Sequence, residues 1–410
     1  MLRRIKVDGY KGLRGTSLEL KQDGLTVLLG PNGSGKSSIF GAIRLLREAS
    51  EPTGLREGHV AGEHFADFVT GGDTRNTISL EAEVYGPLIT WRVVLGKRNE
   101  GGPLQVEGEK LSDGVHTVVR GPNGNVVVNE KPVASSLGIE RSLCGQARAY
   151  PDLGDRVEEG GWRILAGAVN ESLGPVRLAQ LNPVRLAQSV PLGEPVGIDG
   201  YGLPAQLLHL SSTRRKVFAE IQDRFCKLFS WVEEIELPTV QLLSANLGQG
   251  YSTTTTSAVE LRFREKGVER SYPAREMASG MLLALALLWM VYRPDGDRMI
   301  CFDEPENSVH PHLLRYVYDL LKGLTRPEKG RAPVQVLVAT HSVDFVNLCE
   351  PDEIRICERS DDGSVQIESV KDKKDLAQAI DSYRGAMGEL WFSGALGGLP
   401  SHGTKSSRTG

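Results

Sequence analysis

LTVLLGPNGSGKSS, residues 25–38, is the stretch of this 410-residue chain that decides its fold. The apolar run LTVLL predicts a buried strand. The residues after it match the pattern GxxxxGK[ST] in full, from Gly30 to Ser37. A helix is predicted over 37–49, because apolar residues recur there at helical spacing. A strand, a glycine-rich turn and a helix in this order are typical of a loop that binds phosphate groups.

The residue types in this loop suit a bound triphosphate. Glycines let the main chain wrap a phosphate with N–H groups pointing inward, and the positive end of the helix adds to that field. Lys36 is expected to neutralise the β- and γ-phosphates, and the Ser37 hydroxyl to bind Mg²⁺. The predicted phosphate contacts are Gly30, Pro31, Asn32, Gly33, Ser34, Gly35, Lys36, Ser37 and Ser38.

Two acidic residues end a second apolar segment, MICFDE at 299–304. Ligands of α/β proteins bind beyond the carboxyl ends of such buried strands. We expect Asp303 to hold Mg²⁺, directly or through water, and Glu304 to orient and deprotonate an attacking water. An acidic pair after a strand is also common turn chemistry. Its presence together with the phosphate loop favours the catalytic interpretation.

A third apolar strand is predicted over 334–340, and His341 follows it. A histidine at this position could reach a γ-phosphate and report its presence, although a lone histidine is more often structural. The order of the three motifs along the chain favours the functional interpretation. Lys36, Glu304 and His341 are therefore the predicted catalytic residues.

Composition excludes several classes of protein. Hydrophobic residues make up 40% of the chain and charged residues 24%, as in ordinary globular proteins, so a wholly disordered chain is excluded. The formal net charge of −4 gives no overall basic field for nucleic acid. The longest uncharged apolar run, 277–292, has 16 residues where a membrane span needs about 20, and so predicts a buried helix. Five cysteines without a CxxC pair, and no visible signal peptide, predict a cytoplasmic protein.

The pattern of elements predicts an α/β fold with an insertion. Apolar strands alternate with helices in the first fifty residues and again from 274 onward, which indicates a parallel sheet covered on both faces. Apolar and polar residues alternate over 76–130, which predicts antiparallel strands. The polar tract 252–257 is expected to be an exposed turn, and the hexapeptide PVRLAQ occurs twice, at 175–180 and 183–188. The predicted divisions are an N-terminal lobe with an antiparallel β subdomain at 1–140, a mainly helical insertion at 141–256, a C-terminal lobe at 257–399 and a disordered tail at 400–410.

GPNGSGKSS, CFDEPENSVHP and ATHS together resemble the ABC-type ATPases of the SMC/RecF/OLD branch, which are head domains of DNA-repair, chromosome and phage-defence proteins. The opening RRIKVDGYKGLRGTSLEL is similar to that branch's first strand and basic turn. The segment GELWFSGALGG is similar to a closing segment of stand-alone ATPases of the branch, which lack coiled-coil arms and an appended nuclease. The resemblance covers 1–85 and 272–400 well and 86–271 only loosely.

The resemblance implies a P-loop NTPase fold with ATP and Mg²⁺ as cofactors. It also implies a signature motif, for which Ser279 and Gly280 fit, at a helix start that would contact the ATP of a second subunit. A capped core helix is the alternative for these two residues. The D-loop of the family maps onto 307–311. Its Q-loop glutamine has no secure counterpart, and Gln146 is a better candidate than Gln105.

The leading hypothesis is a Mg²⁺-dependent ATPase that forms a head-to-head homodimer with ATP and acts on DNA or on a separately encoded effector such as a nuclease. DNA repair and antiviral defence both stay open. The first alternative is the ATPase subunit of a membrane transporter, although Lys36 and Asp303 lie 267 positions apart, which is far for such a subunit. The second is a nucleotide-binding scaffold that does not hydrolyse ATP.

Two further clusters favour simpler interpretations. The first could ligate a metal, but its place in the chain fits an entry loop; its members are His59, Glu63, His64 and Asp67. The basic run 214–216 could touch a DNA backbone, but a solvated helix face is the more common origin of such a run.

Overall fold

The structure is a computed structural model, and part of the chain is described. The described residues are 1–51, 65–73, 76–86, 88–97, 104–136, 141–149, 161–246, 252–293, 297–307, 309–326, 332–372 and 386–392. The predicted tail at 400–410 lies outside these residues.

The described elements are numbered in chain order. The strands are β1 (Leu2–Asp8), β2 (Thr16–Glu19), β3 (Leu25–Leu29), β4 (Ile78–Val84), β5 (Ile89–Gly96), β6 (Gln105–Ser112), β7 (Thr117–Arg120), β8 (Asn125–Val128), β9 (Lys131–Ser136), β10 (Val176–Ala179), β11 (Val190–Pro191), β12 (Val232–Glu236), β13 (Thr239–Asn246), β14 (Ser252–Val259), β15 (Arg262–Glu265), β16 (Ser271–Pro273), β17 (Met299–Asp303), β18 (Gln335–Thr340), β19 (Ile354–Arg359) and β20 (Val365–Ser369). The helices are α1 (Lys36–Ala49), α2 (Phe65–Phe68), α3 (Leu143–Ala149), α4 (Gly161–Leu173), α5 (Pro183–Leu186), α6 (Leu203–Thr213), α7 (Arg215–Leu228), α8 (Ser279–Tyr292), α9 (Pro311–Leu324), α10 (Val343–Val346) and α11 (Met387–Phe392).

A six-stranded mixed sheet carries the motifs found in the sequence. Its strand order is β10-β17-β18-β3-β19-β20. The central strand β3 pairs in parallel with β18 on one side and with β19 on the other, and every residue of β3 and β18 is buried. Uninterrupted apolar strands of this kind belong in a parallel sheet covered on both faces. The α/β fold class is confirmed.

An eight-stranded sheet in the order β2-β1-β4-β5-β6-β7-β8-β9 accounts for the alternating segment of the sequence. Each neighbouring pair runs antiparallel. Buried and more accessible residues alternate along β5, where Ile89, Trp91, Val93 and Leu95 share the buried face. The predicted antiparallel strands are therefore confirmed.

The chain divides into two compact units. The first contains 1–176, 297–301 and 335–410, and holds the antiparallel sheet and the strands β3, β18, β19 and β20. The second contains 177–296 and 302–334, and within it lie two small antiparallel sheets, β11-β14-β13 and β12-β15-β16. The boundaries predicted from the sequence stay a prediction.

The repeated hexapeptide PVRLAQ adopts two different structures. In its first copy, 175–180, residues Val176–Ala179 form strand β10. In its second copy, 183–188, the chain turns into helix α5, because Asn182 caps it: the side-chain oxygen accepts hydrogen bonds from the N–H groups of Val184 and Arg185. Proline at the first helical position suits that start. The residues before the hexapeptide, and not its own sequence, select strand or helix.

The polar tract 252–257 is not the exposed turn that the sequence suggested. It is the first part of strand β14, and it pairs antiparallel with β13 from Ser252–Asn246 to Ser257–Gln241. Four consecutive threonines explain the difference, because their β-branched side chains favour extended backbone even when they are polar. Polarity alone was the wrong guide to this segment.

The long apolar segment forms helix α8, and its residues from Met281 to Val291 are all buried. It is apolar on every side, as expected of a helix in a protein core. No helix among the described residues has both the length and the hydropathy required to cross a bilayer. The predicted buried helix is therefore confirmed.

A fully buried ion pair joins the antiparallel sheet to α3 within the first unit. Glu109 on β6 accepts hydrogen bonds from Arg120 Nη2 at 2.7 Å, from Trp91 Nε1 at 2.6 Å and from the Leu143 N–H at 2.8 Å. Both charged side chains have 0% exposure. Burial raises the pKa of Glu109 and lowers that of Arg120, since desolvation outweighs their mutual attraction.

Glu109→Ala should lower the free energy of unfolding by about 3–5 kcal/mol, because it leaves the buried Arg120 charge and the Trp91 and Leu143 donors without their acceptor. Denaturant unfolding at neutral pH measures the change. Lys110→Gln is the matched control on the exposed face of the same strand, with an expected effect within about 0.5 kcal/mol. A cost below about 1 kcal/mol for Glu109→Ala would show that the pair does not hold this junction.

Candidate phosphate-binding site

The phosphate loop occupies the turn between β3, which ends at Leu29, and α1, which begins at Lys36. Gly33 and Gly35 have φ angles of +81° and +98°, values that side-chain-bearing residues rarely adopt. No side chain caps α1, and its first turn contains no acidic residue. The first N–H groups of the helix therefore keep their capacity to bind an anion.

Two glycines allow the loop to pack directly on β19 and β20. A Cβ atom at Gly30 would lie 2.5 Å from the Cys357 carbonyl oxygen, and one at Gly35 would lie 2.5 Å from Val365 Cγ2. Val365 cannot move away easily, because its N–H donates to the Gly12 carbonyl at 3.0 Å and its own carbonyl accepts from Thr16 Oγ1 at 2.9 Å. The loop can follow this path only because Gly30 and Gly35 have no side chain.

Cys357 and Val365 are structural determinants of the site that sequence reasoning missed. They lie far along the chain from the loop, and neither belongs to a recognisable motif. Burial raises the pKa of the Cys357 thiol to about 12, although Lys36 opposes the shift. The Cys357 thiol is therefore neutral beside the loop.

Lys36 is buried and points back over its own loop. Its Nζ atom donates to the Gly30 carbonyl at 2.6 Å and to the Pro31 carbonyl at 2.9 Å. The Ser34 hydroxyl oxygen is also buried and has no hydrogen-bond partner in the described chain. A buried polar atom without a partner is costly. A glycine-lined loop with a lysine and an unsatisfied hydroxyl fits the phosphate groups of a nucleotide.

The remaining loop residues and His341 lie at the same edge of the sheet. Ser37 is exposed, and Ser38 is partly exposed. The parallel register of β18 and β3 pairs Thr340 with Leu29, so His341 and Gly30 each follow directly beyond that pair. His341 is exposed, and Ser342 after it caps α10 by accepting from the Phe345 N–H. Within the first unit, the structure therefore brings His341 to the edge that bears the phosphate loop.

Asp303 and Glu304 stand at the end of β17 and belong to the second unit. Asp303 is the partly exposed last residue of the strand, whose other residues are buried. Glu304 has a φ angle of +50°, in the left-handed region, and its carbonyl accepts from the Asn307 N–H at 2.9 Å. This backbone costs a glutamate about 1–2 kcal/mol. Strain of this kind is common at functional sites, and Lys11, Asn129 and Glu130 share it in the described chain.

Ser279 and Gly280 form the first turn of α8 in the second unit. Ser279 is exposed, while the helix behind it is buried. The N-cap residue Ala278 provides no side-chain hydrogen bond. The helix therefore presents an uncapped N-terminus with a serine hydroxyl to its surroundings.

The other residues singled out in the sequence have varied surroundings. Gln146 is buried in α3, and its Nε2 atom donates to the Arg141 carbonyl; Gln105 begins β6. Asn307 is an exposed residue in the turn before α9, and Ser308 lies outside the described residues. The run 214–216 is exposed at the start of α7, as a solvated helix face requires.

The proposed metal cluster falls mainly outside the structure. His59, Glu63 and His64 lie beyond the described ranges, and Asp67 is in α2. Among the described residues, no group of three or more histidines, cysteines and carboxylates is arranged to hold a metal ion.

Family comparisons agree with the motifs. Residues 1–81 match a family described as an AAA ATPase domain. Residues 197–347 match a family described as an AAA domain, putative AbiEii toxin, Type IV TA system. The fold and the phosphate loop thus define a P-loop protein of the AAA/ABC ATPase class.

Two similar proteins narrow the class of ATPase to which the chain is related. An OLD nuclease from Thermus scotoductus is 24% identical over 391 residues, which cover 94% of this chain and 66% of that protein. A chromosome partition protein Smc from Rhodopirellula baltica is 26% identical over 133 residues, covering 32% of this chain and 10% of that protein. The chain is thus an AAA/ABC-type ATPase related to OLD nuclease and SMC proteins, and the resemblance to the SMC/RecF/OLD branch is confirmed. It spans less than two thirds of the length of either relative.

Two solved head domains are also similar. The SMC head domain from Thermotoga maritima has a TM-score of 0.41 and 15% identity, and covers 90% of this chain and 98% of its own. An SMC head bound to the C-terminal winged-helix domain of ScpA has a TM-score of 0.48 and 13% identity, and covers 90% and 97%.

Packing at Gly35 can be tested by a double-mutant cycle with Val365. Gly35→Ala has two costs: alanine must adopt a left-handed backbone, and its Cβ atom collides with Val365. Val365→Ala removes the two γ-carbons with which that Cβ atom would collide. The two changes should therefore couple favourably, by about 1–2 kcal/mol in the free energy of unfolding.

Gly33→Ala is the matched control, because Gly33 also has a positive φ but open space around its Cβ position. Gly33→Ala should lower the free energy of unfolding only by the cost of a left-handed alanine, about 1–2 kcal/mol, and this loss should not change when Val365→Ala is also present. Additive effects of the changes at Gly35 and Val365 would contradict the packing described above.

Proposed function

We propose that this protein is a Mg²⁺-dependent ATPase whose ATP-bound form is a head-to-head homodimer that acts as a switch on DNA or on a partner protein. The observation that carries the proposal is the phosphate loop. Its main chain is curved by Gly33 and Gly35, its helix end is uncapped, and Lys36 and the Ser34 hydroxyl lie buried in the turn. The matching ATPase families support ATP as the nucleotide.

The phosphate loop and His341 bind and sense the triphosphate. Main-chain N–H groups from Gly33 to Ser38 hold phosphate oxygens, and Lys36 exchanges its bonds to the Gly30 and Pro31 carbonyls for the β- and γ-phosphates. Ser37 and Asp303 are the residues that would hold Mg²⁺, which supplies neutralisation of phosphate charge when it is bound. His341, at the same edge as the loop, reports whether a γ-phosphate is present.

Glu304 is the catalytic base in this proposal. Its carboxylate accepts a proton from the water that attacks the γ-phosphate, and its strained backbone fixes where that carboxylate points.

The second subunit contributes Ser279 and Gly280. The uncapped start of α8 binds an anion, and in the dimer that anion is the γ-phosphate of the nucleotide held by the other chain. Two ATP molecules are then shared across the dimer, and loss of either γ-phosphate weakens it. Hydrolysis thereby becomes an opening motion.

The similar proteins support DNA as the target of this switch. One is an OLD nuclease and another a chromosome partition protein, which supports an action on DNA, in repair or in antiviral defence. A separately encoded effector such as a nuclease would carry out the reaction on DNA. Co-purification of the ATP-bound dimer with a nuclease or DNA would support this role, and co-purification with a membrane protein would favour a transporter instead.

Glu304→Gln should trap ATP and a stable dimer, because an amide cannot accept the proton of the attacking water. We expect phosphate release to fall by about 10²–10⁴-fold. Light scattering after gel filtration should show a dimer with ATP and Mg²⁺ and a monomer without nucleotide.

Glu130→Gln is the matched control, since Glu130 is also a left-handed glutamate but lies exposed in the turn between β8 and β9. It should hydrolyse ATP at the wild-type rate. Lys36→Ala should neither bind ATP nor dimerise. Wild-type hydrolysis by a monomeric Glu304→Gln variant would overturn the proposed mechanism.

A further inference from the structure

A pocket of about 580 Å³ opens in the first unit, beyond the amino ends of β3 and β19. Its volume is in the range of small-molecule sites. The residues that line it are Arg3, Glu19, Leu20, Lys21, Gln22, Val84, Tyr85, Gly86, Leu88, Asp352, Arg355 and Lys371. Four are cationic and two anionic, so the lining carries a net formal charge of 4 − 2 = +2.

Arg355 is the central residue of this pocket. It is only 4% exposed, and its Nε and Nη1 atoms donate to the main-chain carbonyls of Glu19, Asp352 and Ile354. It forms no ion pair with a carboxylate of the described chain, and its Nη2 atom has no acceptor there. Burial lowers the pKa of its guanidinium. The carboxylates of Glu19, Asp352 and Asp372 act on it from nearby and oppose this shift in pKa, but none of them forms an ion pair with it.

Desolvated arginine of this kind is expensive unless an anion accompanies it. Lys21 does not need such a ligand, because its Nζ atom contacts Asp352 at 2.6 Å. Arg3 and Lys371 also line the pocket. Both are exposed and form no ion pair with another described residue, so their charges add to the positive electrostatic field of the pocket. An incoming anion would therefore meet three cations, with Arg355 deepest among them.

The rest of the lining suits an organic molecule better than a polymer. Leu20 and Val84 are buried apolar walls, and Leu88 is 49% exposed. The Tyr85 hydroxyl donates to the Leu20 carbonyl at 3.1 Å, so the ring is held in place. Glu19 and Asp352 would repel a long phosphate backbone, whereas a compact anion can avoid them.

This pocket is separate from the phosphate loop. Lys21 and Gln22 precede β3, and the loop follows it, so the five residues of the strand lie between the two places. At ~3.3 Å per residue this is a separation of roughly 17 Å. A nucleotide held by Lys36 therefore does not account for the charge on Arg355.

We propose that this pocket is a second anion site, in which Arg355, with Arg3 and Lys371, binds the phosphate or carboxylate group of a small organic molecule whose apolar part packs on Leu20, Val84 and Leu88. Arg355 uses its open Nη2 donor, and the charge-assisted bond offsets the desolvation of the guanidinium. The proposal stands on the pocket alone and holds whether or not the protein hydrolyses ATP.

The test uses the full chain carrying Lys36→Ala, which removes phosphate binding at the loop. Isothermal titration calorimetry with pyrophosphate and with citrate as probes should show one saturable site for at least one of them, and the preferred probe tells whether the ligand is a phosphate or a carboxylate. Arg3→Gln and Lys371→Gln, both exposed, should each weaken binding several-fold, and Arg355→Met by about tenfold or more.

Lys110→Gln in the same background is the control for a general loss of positive charge, and it should leave binding unchanged. Circular dichroism melting checks that Arg355→Met is folded, and the two exposed variants decide the outcome if it is not. No saturable binding of either probe would overturn the proposal, as would equal losses with Lys110→Gln. Tighter binding of a single-stranded oligonucleotide than of either probe would also contradict it and indicate a nucleic-acid surface.

Discussion

The phosphate loop depends on the contact of its main chain with β19 and β20. At Gly30 and Gly35 the backbone comes so close to Cys357 and Val365 that a Cβ atom would lie 2.5 Å from its neighbour. That contact fixes the path of the loop before a ligand arrives. It allows the turn to curve around the Lys36 ammonium and to leave the first N–H groups of α1 unbonded by side chains. The chemistry of the site therefore rests on packing of the central sheet.

Two unfavourable features of the described structure lie where ligands are expected. The Ser34 hydroxyl is buried without a partner, and Glu304 adopts a left-handed backbone. In a chain of this size, each costs a noticeable fraction of the net stability, which is about 5–15 kcal/mol for a domain. By contrast, the buried Glu109–Arg120 pair is hydrogen-bonded on several sides. The Glu109 carboxylate thus finds its donors within the protein, whereas the Ser34 hydroxyl does not.

Much of the fold could be predicted, since its strongest signals are local. Strand β3, helix α1 and the buried helix α8 each have a long apolar or periodic pattern, and the structure places them where the sequence indicated. A weak local signal failed at the threonine-rich start of β14, where polarity predicted a turn and the β-branched side chains favour a strand. The hexapeptide PVRLAQ, for which no structure was predicted, forms a strand in one copy and a capped helix in the other.

The same distinction separates the two proposed anion sites. The loop at 30–38 binds with consecutive residues, so a motif reveals it, and the apolar pattern of 334–340 places His341 directly after the adjacent strand β18. The pocket at Arg355 gives no such signal. The Arg355 side chain bonds to the carbonyl of Glu19, 336 positions away in the chain, and the apolar walls come from other segments of the chain. A site whose ligands are spread over distant segments exists only once the sheet has formed, and so it can be found from coordinates and not from the sequence.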